Sequence, residues 1–135
     1  MDSTALCSGI HHVAMKVADL DRSLQFYCGT LGLEPVLSWG EGDGRAAMVS
    51  TGAGCLELFA GGEQKPAGQW MHVALAAPDC DAALRAARDA GAEVTLEPTD
   101  VTIPANEGDY PIRIAFCKGP DGEIVEFFQV KGAEG

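Results

Sequence analysis

The chain has 135 residues, of which 47% are hydrophobic and 21% are charged, a composition typical of one globular domain over residues 1–135. It contains no apolar run of about 18 residues and no N-terminal signal pattern, so we expect neither a membrane span nor secretion. Its formal net charge of −11 argues against nucleic acid and anionic membranes as partners. Five scattered cysteines without a C-x-x-C motif indicate reduced thiols in the cytoplasm rather than a disulfide scaffold.

The first half of the chain follows a strand–helix–strand–strand–strand pattern. The segment "HVAMKV" (12–17) alternates as a strand does, with three apolar residues on one face and His12 on the other. Asp19 is a typical N-terminal helix cap, and Gly32 suits the end of the same helix. Apolar residues recur between them at helical spacing, at Leu20, Leu24, Tyr27 and Leu31. Three strand-like segments follow: "EPVLSWG" (34–40), "RAAMVST" (45–51) and "CLELFA" (55–60).

The second half repeats this pattern. "HVALAAPDCDAALRAA" (72–87) aligns with "HVAMKVADLDRSLQFY" (12–27) at a constant offset of 60 residues, and Asp79 and Gly91 take the helix-end positions. The apolar helix positions recur more weakly, at Cys80, Leu84 and Ala87. Three strand-like segments again follow, with a "GPDG" hairpin turn (119–122) before the last one: "EVTLEP" (93–98), "IRIAFCK" (112–118) and "EIVEFFQV" (123–130).

Two βαβββ modules, at residues 9–60 and 70–130, therefore make up the chain, with a polar linker between them at 61–69. The predicted fold class is α+β, and each module has one amphipathic helix to cover one face of its sheet. If the modules pack side by side in the same way, the faces that the helices leave uncovered join into one concave surface.

Each module places one histidine and one glutamate on its uncovered face. His12 aligns with His72, whereas His11 falls on the helix-covered face and has no counterpart, so we interpret His11 as incidental. Glu57 alternates with leucines in "CLELFA", and Glu126 alternates with valine and phenylalanine in "EIVEFF". We expect two imidazoles and two carboxylates to converge.

This donor set suits a divalent transition metal, because imidazole nitrogen and carboxylate oxygen are ligands that such ions accept. Without a thiolate in the set, Ni²⁺, Co²⁺, Mn²⁺, Fe²⁺ and Zn²⁺ all fit, and open coordination positions would make the site catalytic rather than structural. Taken singly, a strand glutamate is more often solvated, and a histidine more often has an ordinary partner. The recurrence of all four residues favours the metal site.

Nearly the whole chain resembles the vicinal oxygen chelate superfamily, which includes glyoxalase I, extradiol dioxygenases, methylmalonyl-CoA epimerase and the bleomycin-resistance binding proteins. The resemblance rests on four segments: "HHVAMKVADLDRSLQFYCGTLGLEPV" (11–36), "LELF" (56–59), "MHVAL" (71–75) and "PDGEIVEFFQ" (120–129). It implies an open, barrel-like cup of paired βαβββ modules around a metal, with a small-molecule substrate. The metal ligands of glyoxalase I correspond, residue by residue, to His12, Glu57, His72 and Glu126.

The ligand set resembles that of bacterial glyoxalase I most. The superfamily's epimerases usually carry Gln at the position of Glu57, its dioxygenases use three ligands, and its bleomycin-binding members lack the set. The resemblance thus implies a metal-dependent lyase of the lactoylglutathione lyase type, with proton transfer next to a carbonyl. Glu126 is the predicted base, and Glu57 is the second candidate, which returns the proton. Family members of this size often form homodimers, some by exchanging modules.

Two departures from glyoxalase I put glutathione in doubt and leave another thiol open as the co-substrate. The family's arginine four residues after the first ligand is Lys16 here, and its asparagine four residues after the second ligand is Gly61. The long loop at 99–113 is a candidate substrate lid. The other substrate-binding candidates are Lys16, Arg45 and Arg113 for a carboxylate, and Trp39 and Phe128 for an apolar pocket. Solvated arginines and ordinary core packing are the alternatives for these positions.

Two other functions stay open at this point. An epimerase or extradiol dioxygenase of the same fold would act on a different chelating substrate. A non-catalytic small-molecule binding or resistance protein would use the four residues to hydrogen-bond one another or water, without a metal. Metal content separates this second alternative from the enzymes.

Overall fold

The computed structural model describes residues 5–64, 68–120 and 122–132, which form eight strands, two α-helices and short π- and 3₁₀-helical segments. The strands are β1 (Ile10–Lys16), β2 (Glu34–Trp39), β3 (Ala46–Ser50), β4 (Cys55–Phe59), β5 (Gln69–Ala76), β6 (Glu93–Ala105), β7 (Gly108–Lys118) and β8 (Ile124–Val130). The helices are α1 (Leu20–Leu24), which continues as a π-helical segment (Gln25–Thr30), and α2 (Cys80–Asp89). No helix in the described part of the chain has both the length and the apolar character needed to cross a bilayer.

The described residues group into two compact units. The module-one unit takes in those from 12 to 71 and from 104 to 109, and the module-two unit takes in those from 5 to 11, from 72 to 103 and from 110 to 132. Within the first unit the strands lie in the order β2-β3-β4-β1, and within the second in the order β6-β7-β8-β5. The strand–helix–strand–strand–strand sequence of elements occurs twice, which confirms the predicted α+β class with two βαβββ modules.

The two sheets pair their strands in the same register. In the module-one unit, β4 runs parallel to β1 and antiparallel to β3, so that Glu57 lies opposite Ala14 on one side and Met48 on the other. In the module-two unit, β8 likewise runs parallel to β5 and antiparallel to β7. The sequence repeat is therefore a repeat of hydrogen-bonding register, which fixes the face on which every strand side chain lies.

Each helix covers one face of its own sheet with apolar side chains, as the alternation predicts. The core of the module-one unit consists of Val17, Leu20, Ala47 and Leu58, and that of the module-two unit of Ala77, Cys80, Ala83, Leu84, Ala115, Cys117 and Phe127. Burial of a leucine-sized side chain contributes about 1.5–3 kcal/mol to stability. Because this apolar layer lies on the helix side, the polar residues of β1, β4, β5 and β8 are left on the other face.

The predicted helix ends are confirmed. The carboxylate Oδ1 of Asp19 accepts a hydrogen bond from the backbone N–H of Arg22, and Oδ1 of Asp79 accepts one from Ala82, each at 3.1 Å. Gly32 follows the π-helical segment with a φ of 82°. This left-handed conformation favours glycine, because a β-carbon would lie too close to the carbonyl oxygen of the same residue.

The first helix departs from the predicted α-helical spacing in its second half. Leu24 and Tyr27 pack on the core of the module-one unit as expected. Leu31 was expected on the same stripe, but 56% of its surface is exposed. The π-helical segment widens the turn before Leu31 and rotates it away from the core. The sequence pattern assumed 3.6 residues per turn throughout, and that assumption was wrong here.

The predicted lid loop at 99–113 is instead the middle of a long β-hairpin. β6 ends at Ala105 and β7 begins at Gly108, so the connection is only two residues long. β6 contains Pro98 and Pro104, and it is an edge strand of its unit. An edge strand tolerates proline where its N–H side faces away from the sheet.

The tip of this hairpin is fastened to Ser38, near the end of β2. The backbone N–H of Asn106 donates to the carbonyl of Ser38 at 2.7 Å, and its side-chain amide donates to the Ser38 hydroxyl at 2.9 Å. The carboxylate of Glu107 accepts from the Ser38 backbone N–H at 2.9 Å and from its hydroxyl at 3.1 Å. The hydrogen bond from the Ser38 backbone N–H, together with the one from its hydroxyl, lowers the pKa of Glu107 below its ordinary value. The hairpin tip is therefore a fixed element rather than a lid.

The connecting segments are described in part. In the predicted "GPDG" turn, the N–H of Gly122 donates to the carbonyl of Gly119 at 2.9 Å, whereas Asp121 lies outside the described residues. Residues 65–67 of the predicted linker also lie outside them.

Glu107 provides a pH-dependent test of the hairpin contact. Because its folded-state pKa lies below the unfolded value, its stabilising contribution is complete above about pH 5 and is lost as the pH falls through the folded-state pKa. We expect Glu107→Gln to lower the thermal unfolding midpoint at pH 7. The difference from the parent protein should shrink on acidification. A difference that is the same at pH 7 and at about pH 3 would show that the carboxylate makes no such contribution.

Candidate functional site

In the module-one unit, the predicted His12 and Glu57 lie together on the face that α1 leaves uncovered. Nε2 of His12 is 3.0 Å from Oε1 of Glu57. His12 is fully buried, and Glu57 is 6% exposed. Strand alternation explains the placement, since Leu56 and Leu58 on either side of Glu57 belong to the helix-side core or pack on it.

The module-two unit repeats this pair with His72 and Glu126. Nε2 of His72 is 3.0 Å from Oε1 of Glu126, and the carboxylate residue is 4% exposed. Glu126 lies opposite Ala74 on β5 and Phe116 on β7. The Phe116 ring stands edge to face against the His72 imidazole, with ring centroids 5.5 Å apart. The His72 side chain keeps 10% of its surface exposed, whereas that of His12 keeps none.

Both carboxylates have apolar neighbours on the strands at either side. Ala14 and Met48 flank Glu57, and their counterparts Ala74 and Phe116 flank Glu126. A carboxylate in such surroundings loses hydration that only a cation or good hydrogen-bond donors can replace. The repeated imidazole beside each carboxylate provides one such partner.

The donor set fits a divalent transition metal. Bonds from such ions to imidazole nitrogen and carboxylate oxygen are about 2.0–2.2 Å long, so two ligands at right angles around one ion hold their donor atoms about 3 Å apart. The His12–Glu57 and His72–Glu126 separations are both 3.0 Å. Each pair could therefore supply two adjacent ligands to an ion.

The two predicted aromatic residues lie in different surroundings. Trp39, at the end of β2, is partly buried and stands edge to face with Phe59, with centroids 6.2 Å apart. Phe128 is only 2% exposed, and its ring lies 4.1 Å from that of His11. His11, interpreted as incidental, thus packs against an aromatic ring. The repeat could not reveal this contact, because His11 aligns with Met71.

The predicted substrate-binding arginines, Arg45 and Arg113, each form an ion pair with a helix carboxylate. Nη2 of Arg45 lies 3.0 Å from Asp21, in the first turn of α1. Arg113 donates through Nε to Asp81, in the first turn of α2, at 2.6 Å, and through Nη1 to Asp100 at 3.0 Å. The hydrogen bond from Arg113 lowers the pKa of Asp81, and that from Arg45 lowers the pKa of Asp21. Arg45 directly precedes β3 and Arg113 lies within β7, so each arginine ties its strand to the helix of the same unit.

Lys16 lies at the end of β1, on the strand face that also carries His12. It is partly buried and borders a small cavity of about 220 Å³, together with Asp19, Arg22 and Glu63. Among the predicted substrate-binding cations, Lys16 is thus the one whose place on the strand matches that of a metal-ligand candidate.

Gly61 is held in a conformation that disfavours any side chain. Its φ is 88°, and a β-carbon there would lie 3.1 Å from the backbone oxygen of Asp43. The position of the family's asparagine is thus occupied by a glycine in left-handed backbone.

We expect Gly61→Ala to lower the free energy of unfolding by about 1–3 kcal/mol, because alanine in left-handed backbone is strained. Gly61→Asn should cost less, since asparagine adopts this conformation more readily. Chemical denaturation of both variants measures the difference. Gly44→Ala is the matched control, because a β-carbon there meets no atom within 4 Å and its φ is not left-handed. Equal stability of the Gly61 and Gly44 variants would contradict this account.

A family model for the Glyoxalase/Bleomycin resistance protein/Dioxygenase superfamily matches residues 9–127. The chain belongs to this superfamily. The predicted resemblance and the glyoxalase-type fold are confirmed.

Relatives within the superfamily carry two different names. A probable lactoylglutathione lyase from Synechocystis sp. is 32% identical over 127 residues, which cover 87% of this chain and 92% of the relative. A methylmalonyl-CoA epimerase structure from Mycobacterium tuberculosis is 27% identical, with a TM-score of 0.73 and coverage of 96% of this chain and 93% of that one. A Streptomyces coelicolor methylmalonyl-CoA epimerase variant, in complex with 2-nitronate-propionyl-CoA, is 25% identical, with a TM-score of 0.70 and coverage of 96% and 99%.

Proposed function

We propose that this chain is a metal-dependent enzyme that transfers a proton at a carbon next to a carbonyl group, and that it is of the glyoxalase I type. The observation that carries the proposal is the buried histidine–glutamate pair, repeated with the same 3.0 Å separation in both units. A purely structural role would not call for two carboxylates in apolar surroundings, because apolar residues at such positions are often equally or more stabilising.

The proposed ligands are His12, Glu57, His72 and Glu126. A divalent metal bound by them would polarise the carbonyl oxygens of a chelating substrate and so make the neighbouring C–H group more acidic. The apolar neighbours of both pairs would keep bulk water away from the reacting carbon. We also propose a homodimer, as the resemblance implies for family members of this size.

Glu126 is the proposed base that takes the proton, and Glu57 is the proposed group that returns it on the other side. The difference in exposure between the two pairs supports this order. The His72 side chain next to Glu126 retains 10% exposure, whereas His12 next to Glu57 is fully buried. A substrate that arrives from solvent therefore has better access to the module-two pair.

The proposed substrate is the hemithioacetal that methylglyoxal forms with a thiol. Removal of the proton from its C–H carbon and return of a proton to the neighbouring carbon gives the S-lactoyl thioester without gain or loss of atoms. The relatives named lactoylglutathione lyase support this reaction class. Lys16 is the proposed partner of a substrate carboxylate. The substitution of glycine for asparagine at position 61 argues for a thiol other than glutathione.

An epimerase that acts on a CoA thioester is the second candidate. It is supported by the likeness to the methylmalonyl-CoA epimerase from Mycobacterium tuberculosis, with a TM-score of 0.73 at 27% identity. It also needs proton removal next to a carbonyl. Glu57 argues against it, because the resemblance implies glutamine at this position in the epimerases.

Metal content tests the first step of the proposal. Protein prepared without chelator and without a metal-affinity tag should contain a divalent transition metal in a fixed molar ratio to the protein. Glu57→Gln and His72→Ala should lose most of it, because the first replaces an anionic ligand by a neutral amide and the second removes an imidazole. Glu34→Gln, the same substitution at an exposed strand residue, is the matched control and should keep it. A metal-free parent protein that also fails to bind added Ni²⁺, Co²⁺ or Zn²⁺ would favour a non-catalytic binding protein.

Glu126→Gln tests the proton-transfer step. We expect its turnover of methylglyoxal with a panel of thiols to fall by a factor of about 10²–10⁴, the contribution of a general base. Its circular dichroism should match that of the parent protein. Hydrogen–deuterium exchange at the α-carbon of methylmalonyl-CoA, measured in parallel, distinguishes the epimerase. Substantial remaining activity in the variant, with either substrate, would remove Glu126 as the base.

A further inference from the structure

The module-two unit contains a cavity that the proposed reaction does not use. It has a volume of about 680 Å³ and lies under the C-terminal end of α2. Its walls are mainly apolar, and they include Leu75, Ala87, Ala92, Cys117, Val125 and Phe127. Val125 and Phe127 alternate along β8 with Glu126, so the cavity opens on the opposite face of the strand from the histidine–glutamate pair.

The sequence repeat shows that a small residue replaces a large one at the wall of this cavity. Residue 87 aligns with residue 27 at the constant offset of 60, and both residues pack on the helix-side core of their own unit. In the module-one unit the residue is Tyr27, which brings an aromatic ring to that core. In the module-two unit it is Ala87, which brings a single methyl group. The preceding apolar position of each helix is leucine, Leu24 in one unit and Leu84 in the other, so the two helices carry the same residue there.

The chemistry of the cavity indicates what kind of molecule fits it. Lys118 and Glu93 both line it, and Nζ of the first lies 3.9 Å from the carboxylate of the second, so the two charges offset each other. Burial raises the pKa of the Cys117 thiol, which is therefore neutral at physiological pH. The lining thus offers no net charge to an ionic ligand. Cavities of about 300–1,000 Å³ with apolar walls are typical of small-molecule sites.

We propose that this cavity binds a small, uncharged aromatic molecule whose ring occupies the place that Tyr27 fills in the sister module. Apolar cavities of this kind take up benzene-like molecules because the ring restores the missing van der Waals contacts. The site is independent of the metal ligands. If the cavity does not bind an aromatic molecule, the proposed catalytic function is unaffected. If the catalytic function is wrong, the proposed aromatic site is unaffected.

Indole is a suitable probe, because it is uncharged and has a ring system of roughly the size of a tyrosine side chain. Titration of the ¹⁵N-labelled full chain with indole should give saturable chemical-shift changes at Ala87, Ala92 and Val125. The ionised analogue indole-3-acetate should bind at least about tenfold more weakly, since burial of its carboxylate is unfavourable.

Ala87→Phe should fill the cavity and weaken indole binding by at least about tenfold. Ala87→Leu provides a smaller filling substitution in case the phenylalanine variant does not fold. Ala86→Phe is the matched control, because residue 86 is exposed on the same helix and the change adds the same side chain outside the cavity. Absence of saturable indole binding by the parent protein, equal binding of indole-3-acetate, or full binding by both position-87 variants would overturn the proposal.

Discussion

The burial of two carboxylates in apolar sheet faces is the constraint on which the rest of this structure depends. Glu57 and Glu126 are each more than nine-tenths buried, and each has one imidazole nitrogen 3.0 Å away. An uncompensated buried carboxylate costs several kcal/mol, about as much as a whole domain's margin of stability. The sheet therefore tolerates these residues only with a partner. The proposed metal binding requires a carboxylate and an imidazole side by side, whereas the stability of the fold does not.

The duplication places both histidine–glutamate pairs in the same strand register. The residues around the two pairs nevertheless differ. Equal register places an alanine beside each glutamate, but the larger neighbour is Met48 in one unit and Phe116 in the other. Exposure also differs, since His72 is partly accessible and His12 is not. On the helix side, Ala87 takes the place of a tyrosine and lines a cavity of about 680 Å³ in the module-two unit. The repeat preserves the histidine–glutamate pairs, whereas the surroundings of the two pairs differ.

Sequence alone was sufficient for features set by local rules. Period-two alternation placed His12 and Glu57 on the uncovered face, and the caps at Asp19 and Asp79 followed from side-chain chemistry. Features that depend on distant contacts were missed. The partners of Arg45 and Arg113 lie 24 and 32 residues away, so only folding brings them together. The long hairpin was also missed, because residues 99–113 were interpreted as a loop and the pairing of β6 with β7 is not visible in the sequence.

Likeness of fold cannot choose between the lyase and the epimerase, because strand alternation puts the ligand positions in the same places in any member with this register. A TM-score of 0.73 measures the path of the backbone. The choice depends on individual residues such as Glu57, Lys16 and Gly61. At Gly61, the left-handed backbone and the oxygen of Asp43 disfavour a side chain, although asparagine adopts this conformation more readily than most residues. Under the proposed function, Lys16 is the partner of a substrate carboxylate, and its single ammonium is less selective in geometry than a guanidinium. These two positions are the reason that we propose a thiol other than glutathione.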